Sequence, residues 1–172
     1  MDIFFVPELH MGDPALEYRF FTIFSVFEYA LKATGYVRFS HWEGVKADWE
    51  SFIEDIENDF DWHKSPSLEE AVQYLFDEPP RRQVFNDGHL EWGQNRRPLE
   101  AGDIEWLLRL VKTVRNNLFH GGKKPFDPDR DTRLLKSSIQ VLIAWAELKP
   151  EFKKVILETN QVILEKVNLK HL

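Results

Sequence analysis

Three times in this chain a helix-capping side chain stands directly before a proline, at Asp13-Pro14, Ser65-Pro66 and Asp127-Pro128. Asp and Ser accept hydrogen bonds from the free N–H groups of a first helical turn, and proline suits the next position because it has no N–H to lose. Each pair opens a stretch whose apolar residues recur every three or four positions. After Pro14, Leu16, Phe20, Phe24, Phe27 and Leu31 mark one face. Phe21, Ile23 and Val26 add apolar surface elsewhere, which predicts a central helix buried on most sides and ending near Gly35. A second helix is expected from Glu43 to Phe60 on the stripe Val45, Trp49, Phe52, Ile53 and Ile56. A short third helix runs from Ser65-Pro66 to Pro79-Pro80, a fourth from Asp103 to Phe119 with Gly121-Gly122 as its stop, and a fifth from Asp127-Pro128 to Lys149-Pro150. The last presents Phe152, Val155, Ile156, Ile163 and Val167 on one side.

Between Pro79 and Gly102 the helical period lapses. Asn86-Asp87-Gly88 is a tight-turn signal between Gln83-Val84-Phe85 and His89-Leu90-Glu91-Trp92, which predicts a small hairpin. The sum is an all-α bundle of five to six helices, residues 1–172 forming one domain, with an irregular or β-hairpin insertion near 79–102. An excursion of that length within a helical domain is often functional, and a lid or dimer arm is the expected role.

Composition limits the chemistry. Of 172 residues none is cysteine, so disulfides, thiolate nucleophiles and cysteine-ligated metal centres are excluded, and a reducing cytosol is the natural setting. The opening Met-Asp-Ile-Phe-Phe-Val-Pro-Glu has no basic leader region, and the longest apolar run, near Phe20–Phe27, is too short to span a bilayer. A cytoplasmic protein with no membrane partner is expected. His10, His41, His63, His89 and His171 show no H-x-x-x-H or H-E-x-x-H spacing, so no metal and no cofactor is expected. Phosphate-cradling glycine loops and the nucleophile elbow are absent as well.

The net charge of −7 argues against sequence-blind nucleic-acid binding over the whole surface. Its distribution is uneven. Twelve Lys and Arg stand against eight Asp and Glu from Arg81 to Lys136, and ten against twenty-one elsewhere. Eight of those acids fall between Glu43 and Asp61 with Lys46 the sole cation there; this reads either as a solvated face or as a docking surface for a basic partner.

The stretch Val114-Arg115-Asn116-Asn117-Leu118-Phe119-His120-Gly121-Gly122-Lys123-Lys124 carries the most information. Its helix has a core stripe through Ile104, Leu107, Leu108, Val111, Val114 and Leu118, and Arg115 follows Val111 by four residues on that same stripe. Such an arginine either snorkels outward or is buried with partners, because an unpaired buried charge is costly. It could equally tie helices together through a carboxylate or helix-end carbonyls. His120 lies five residues on, about 140° round an ideal helix, so one helix does not aim both at a small substrate. Either the helix unwinds at Gly121, or two copies of the chain pool their residues. Taken alone, His120 reads as a histidine favoured by the dipole at a helix C-terminus.

An Arg, a polar residue and a His at R-x4-H spacing, ending an amphipathic helix in an all-α bundle, resembles the HEPN superfamily, with Asn116 in the polar slot. A second Arg–His pair, Arg82 and His89, lies off any helix end and is read as accidental. The resemblance implies a metal-independent endoribonuclease acting as a homodimer with a composite cleft, of toxin or defence type. Arg115, Asn116 and His120 would be catalytic. Histidine titrates near neutrality and suits proton transfer to and from the 2′-hydroxyl and the leaving 5′-oxygen. The guanidinium fork matches phosphate oxygens. Lys123 and Lys124 would hold flanking phosphates, or are simply solvated. The alternatives are a non-catalytic HEPN-like scaffold, which the acidic balance favours, and a toxin–antitoxin component held by an antitoxin or regulatory protein.

Overall fold

The computed structural model describes residues 13–39, 44–120 and 127–168, with backbone only at 120 and 160–168. Among these residues six helices dominate: α1 (Pro14–Ala33), α2 (Trp49–Ile56), α3 (Pro66–Asp77), α4 (Asp103–His120), α5 (Pro128–Glu147) and α6 (Pro150–Asn168). Two antiparallel hairpins accompany them, β1 (Val37–Phe39) with β2 (Val45–Ala47), and β3 (Arg82–Asn86) with β4 (His89–Gly93). The expected all-α bundle with a hairpin near 79–102 is therefore present. Among the described residues no helix is long and apolar enough to cross a membrane.

The cap–proline pairs work as their chemistry requires. Asp13 Oδ1 accepts from the amides of Ala15 and Leu16 at 3.0 and 3.3 Å. Ser65 Oγ accepts from Leu68 N at 3.3 Å, and Asp127 Oδ1 from Arg130 N at 3.0 Å. In the β3–β4 turn Asp87 and Gly88 both have positive φ, 47° and 81°, the geometry a two-residue hairpin needs and the reason Asn-Asp-Gly marks it.

The second helix differs from expectation. It begins at Trp49 rather than Glu43, because Val45–Ala47 pairs with Val37–Phe39 in register Val37↔Ala47 and Phe39↔Val45. Val45 precedes Trp49 by one helical turn and so imitates the apolar stripe, yet it is exposed. Asp48 decides the boundary. Its carboxylate accepts from Ser51 N at 3.1 Å and from Ser51 Oγ at 3.0 Å, and meets Arg38 of β1 at 2.9 Å. A side chain that captures a free helical amide fixes the first turn just beyond it.

The Arg38 hydrogen bond, followed by those from Ser51, holds the Asp48 carboxyl below its ordinary pKa against the opposing effect of burial. A carboxyl depressed in the folded state contributes stability above its unfolded pKa of about 3.9 and loses it as pH falls through the folded value. Asp48→Ala is expected to cost about 1 kcal/mol at pH 7 through the lost cap. Asp48→Asn, which retains an acceptor, costs less, and its difference from wild type disappears in acid; urea titrations across the range from neutral pH to below the folded pKa measure both.

One aromatic cluster joins three helices. Phe27 stacks on Trp49 with centroids 4.9 Å apart and planes 2° apart, and meets Phe52 and Phe152 edge-on at 5.5 and 4.6 Å. Helix α5 packs on α1, α3, α4 and α6 and buries Trp145, Leu142 and Leu135. Helix α1 is central but not enclosed. Its predicted stripe is buried, and so is Val26, whereas Phe21 is 42% exposed, Tyr18 72% and Tyr29 53%. Of the residues expected to face the core from α6, Phe152 is buried and Val155 and Ile156 half-buried, while the side chains of Ile163 and Val167 lie outside the described residues.

Candidate functional site

Helix α4 supplies the site. Ile104, Leu107, Leu108, Val111 and Val114 are buried and Leu118 is half-buried, so the core stripe runs where the sequence places it. Arg115 sits at the margin of that stripe and snorkels. Its side chain is half-buried, with Cζ 4.9 Å from the Phe119 ring centroid and 5.7 Å from that of Phe24 in α1. Nη1 donates to Asn116 Oδ1 at 3.1 Å. Among the described residues no carboxylate pairs with the Arg115 guanidinium.

This is an unusual setting for an arginine on a core stripe. The ring faces offset part of the desolvation of the cation, the aliphatic stem covers apolar surface, and among the described residues only one of the five guanidinium N–H groups is engaged. The others have no partner among the described residues. Phe119 extends the shelf to Phe21, the two rings 5.3 Å apart and tilted by 53°, and both rings are more than two-fifths exposed.

Asn116 is exposed and precedes His120 by one helical turn. The helix is intact through His120, so positions 115 and 120 keep their separation of about 140° round the axis, and no unwinding before 120 reduces it. The Asn116 amide draws the guanidinium part of the way across that arc. The His120 side chain, the glycine stop at Gly121-Gly122, and Lys123 and Lys124 lie outside the described residues. The structure thus brings Arg115 and Asn116 together and leaves the remaining three predicted positions without described side chains.

Asn117, which the sequence did not single out, anchors the chain on another side of α4. Its Nδ2 donates to Arg81 O at 2.7 Å and ties the start of the hairpin to α4. An asparagine on a helix surface carries no signal of such a partner 36 residues away. Among the described residues no group of three His, Asp or Glu side chains is placed to hold a metal ion.

No family model, no curated protein and no solved structure matches this chain. The functional reading therefore rests on the residues and their geometry.

The acidic segment is partly neutralised from within. Asp48 and Glu50 pair with Arg38, and Glu50 also with Lys112 at 3.4 Å. Asp55 takes Lys149 at 2.6 Å and accepts from Tyr36 Oη. That carboxylate is held low, first by Lys149 and then by Tyr36, while burial and then the Asp55 contact push the Tyr36 phenol up to about 12. These acids brace the hairpin β1–β2 and the start of α6 against α2.

Proposed function

We propose that this chain is a HEPN-type, metal-independent endoribonuclease of the cytoplasm, a single helical domain acting as a homodimer. The observation that carries the reading is Arg115: a guanidinium on a surface shelf of aromatic rings, joined to Asn116, with no carboxylate claiming it among the described residues. A purely structural arginine on a core stripe would be expected to end on a carboxylate or a helix-end carbonyl.

In this reading a base removes the proton from a ribose 2′-hydroxyl, and the 2′-oxygen attacks the adjacent phosphorus. The bond from phosphorus to the 5′-oxygen breaks, and that oxygen takes up a proton. His120 serves proton transfer, Arg115 binds the non-bridging oxygens as negative charge builds on them, and Asn116 orients the guanidinium. Lys123 and Lys124 hold flanking phosphates. Because positions 115 and 120 open in different directions on an intact helix, a second copy supplies the complementary residue. The exposed rings of Phe21 and Phe119 beside Arg115 give that copy an apolar surface to cover.

The test separates catalysis from architecture. Arg115→Ala is expected to lower cleavage of total RNA about 10²–10³-fold while lowering stability by only about 1 kcal/mol, the scale of an exposed cation–π contact. A loss of about 3–5 kcal/mol, as for breaking a buried ion pair, would overturn the assignment. The overall charge of −7 favours a second reading, a non-catalytic HEPN-like binding or scaffold module, on which the purified chain leaves RNA intact.

A further inference from the structure

A cleft of about 350 Å³ opens between the outward face of α4 and the β3–β4 hairpin with the segment that follows it. Among the described residues four cations line it: Arg82 from β3, Arg96 from the segment after β4, and Arg109 and Lys112 from α4. The fold brings them together from distant parts of the chain. Pairing of Arg82 with Gly93 puts Arg82 and Arg96 at the same end of the hairpin. Asn95 Nδ2 donates to Thr113 Oγ1 at 3.1 Å, and Asn117 Nδ2 to Arg81 O, so both arms of the hairpin are pinned to α4.

The charges do not cancel. Glu105 is taken by Arg109 at 2.7 Å, and Glu50 is shared between Lys112 and Arg38 at 3.4 Å each. Arg82 and Arg96 are exposed and have no carboxylate partner among the described residues. Two unmatched arginines thus converge on one polar cleft of a chain whose net charge is −7, where a merely solvating surface has no need to gather them. The cleft also has a direction. Arg109, Lys112 and Asn116 follow one another at three and four residues along one face of α4, a rise of about 10 Å ending beside the Arg115 guanidinium.

We infer that this cleft binds the phosphodiester backbone of single-stranded RNA and delivers the strand along α4 to Arg115 and Asn116. Choosing RNA as the polyanion rests on the ribonuclease reading above; the cleft itself rests on the four cations and their two unmatched charges. Arginine forks grip phosphate oxygens in pairs. Trp106 in the cleft wall is buried rather than presented for stacking, so recognition is of backbone charge and indifferent to base sequence.

The experiment uses the wild-type chain and a fluorescent 2′-O-methyl oligonucleotide, which lacks the attacking hydroxyl and is not cut. The comparison is with Arg82→Gln/Arg96→Gln, and with Lys32→Gln/Lys154→Gln as a control of equal charge loss elsewhere on the surface. Circular dichroism establishes that each pair is folded, and Arg82→Lys/Arg96→Lys, which keeps the charge, serves as a rescue. The cleft pair is expected to weaken binding at least tenfold at moderate salt. It should also flatten the slope of log K against log salt by about 1.4, two strand contacts at roughly 0.7 each. The control pair changes little, and the lysine pair recovers most of the loss. Equal weakening by the cleft and control pairs, or displacement of the oligonucleotide by a poly-glutamate peptide at the same charge concentration, overturns the inference. Unmodified RNA assayed in parallel separates the two readings. If it stays intact while cleft-dependent binding persists, the ribonuclease reading fails and the cleft stands; if it is cut equally by wild type and the cleft pair, with equal binding, the cleft fails alone.

Discussion

His120→Ala is expected to lower RNA cleavage by about 10²–10⁴-fold, the range for removing a general acid or base, with the unfolding midpoint nearly unchanged. Histidine is the side chain suited to moving protons near neutrality, so it can take a proton from the nucleophile or return one to the leaving oxygen. The asparagines that follow Arg115 in the chain, Asn116 and Asn117, have no group that exchanges a proton at pH 7. The stability cost is small because His120 is the last residue of α4, where an imidazolium contributes about 0.3–1 kcal/mol through the helix dipole. Gel analysis of RNA incubated with wild type and variant, beside thermal melts of both, checks the expectation. Undiminished cleavage by the alanine variant removes His120 from the chemistry.

The largest expected effect on stability lies in the aromatic core beneath the site. Phe27→Ala should destabilise the fold by about 3–5 kcal/mol, as loss of a large buried aromatic does. Phe27 is 1% exposed and contacts the rings of Trp49, Phe52 and Phe152, so it is the common neighbour of α2 and the first turn of α6. Truncation leaves a cavity that three large rings cannot fill without leaving their stacking geometry, and each aromatic pair contributes about 0.5–1.5 kcal/mol beyond the area it buries. Against a total stability of about 5–15 kcal/mol this loss is severe. Phe85→Ala in the β3–β4 hairpin is the matched contrast: at 76% exposed it should fall within about 0.5 kcal/mol of wild type. Urea denaturation midpoints, with slopes compared to verify two-state behaviour, measure both.

Much of the fold could be read from the chain because its signals were local. A cap followed by proline fixes where α1, α3 and α5 begin, and Asn86-Asp87-Gly88 fixes a hairpin turn, each within four residues. The failure at α2 came from the same rule applied too widely. Val45 holds the helical spacing to Trp49, but the pairing of residues 37–39 with 45–47 depends on a connection that carries no tight-turn signal. Burial of α1 was overestimated for a related reason. Phe21, Tyr18 and Tyr29 are as apolar or aromatic as core residues, and composition does not tell an exposed aromatic face from a packed one.

The site divides along the same line. That Arg115 must snorkel or find partners follows from its place on the stripe; that it rests on Phe24 of another helix requires the tertiary fold. The positive excess between Arg81 and Lys136 is visible in the sequence as a sum. Its concentration into one cleft is not, because Arg82 and Arg96 reach Arg109 and Lys112 only after the hairpin closes and Asn95 and Asn117 fasten it to α4.

The central claim concerns a phosphodiester cleaved without metal by the ribose's own 2′-oxygen. Its most direct test is the chemistry of the ends left when purified chain acts on a defined RNA in the presence of excess chelator. Fragments ending in a 2′,3′-cyclic phosphate and beginning with a 5′-hydroxyl are the predicted result. Fragments with 3′-hydroxyl and 5′-phosphate ends, or RNA that remains intact until magnesium is restored, would contradict it.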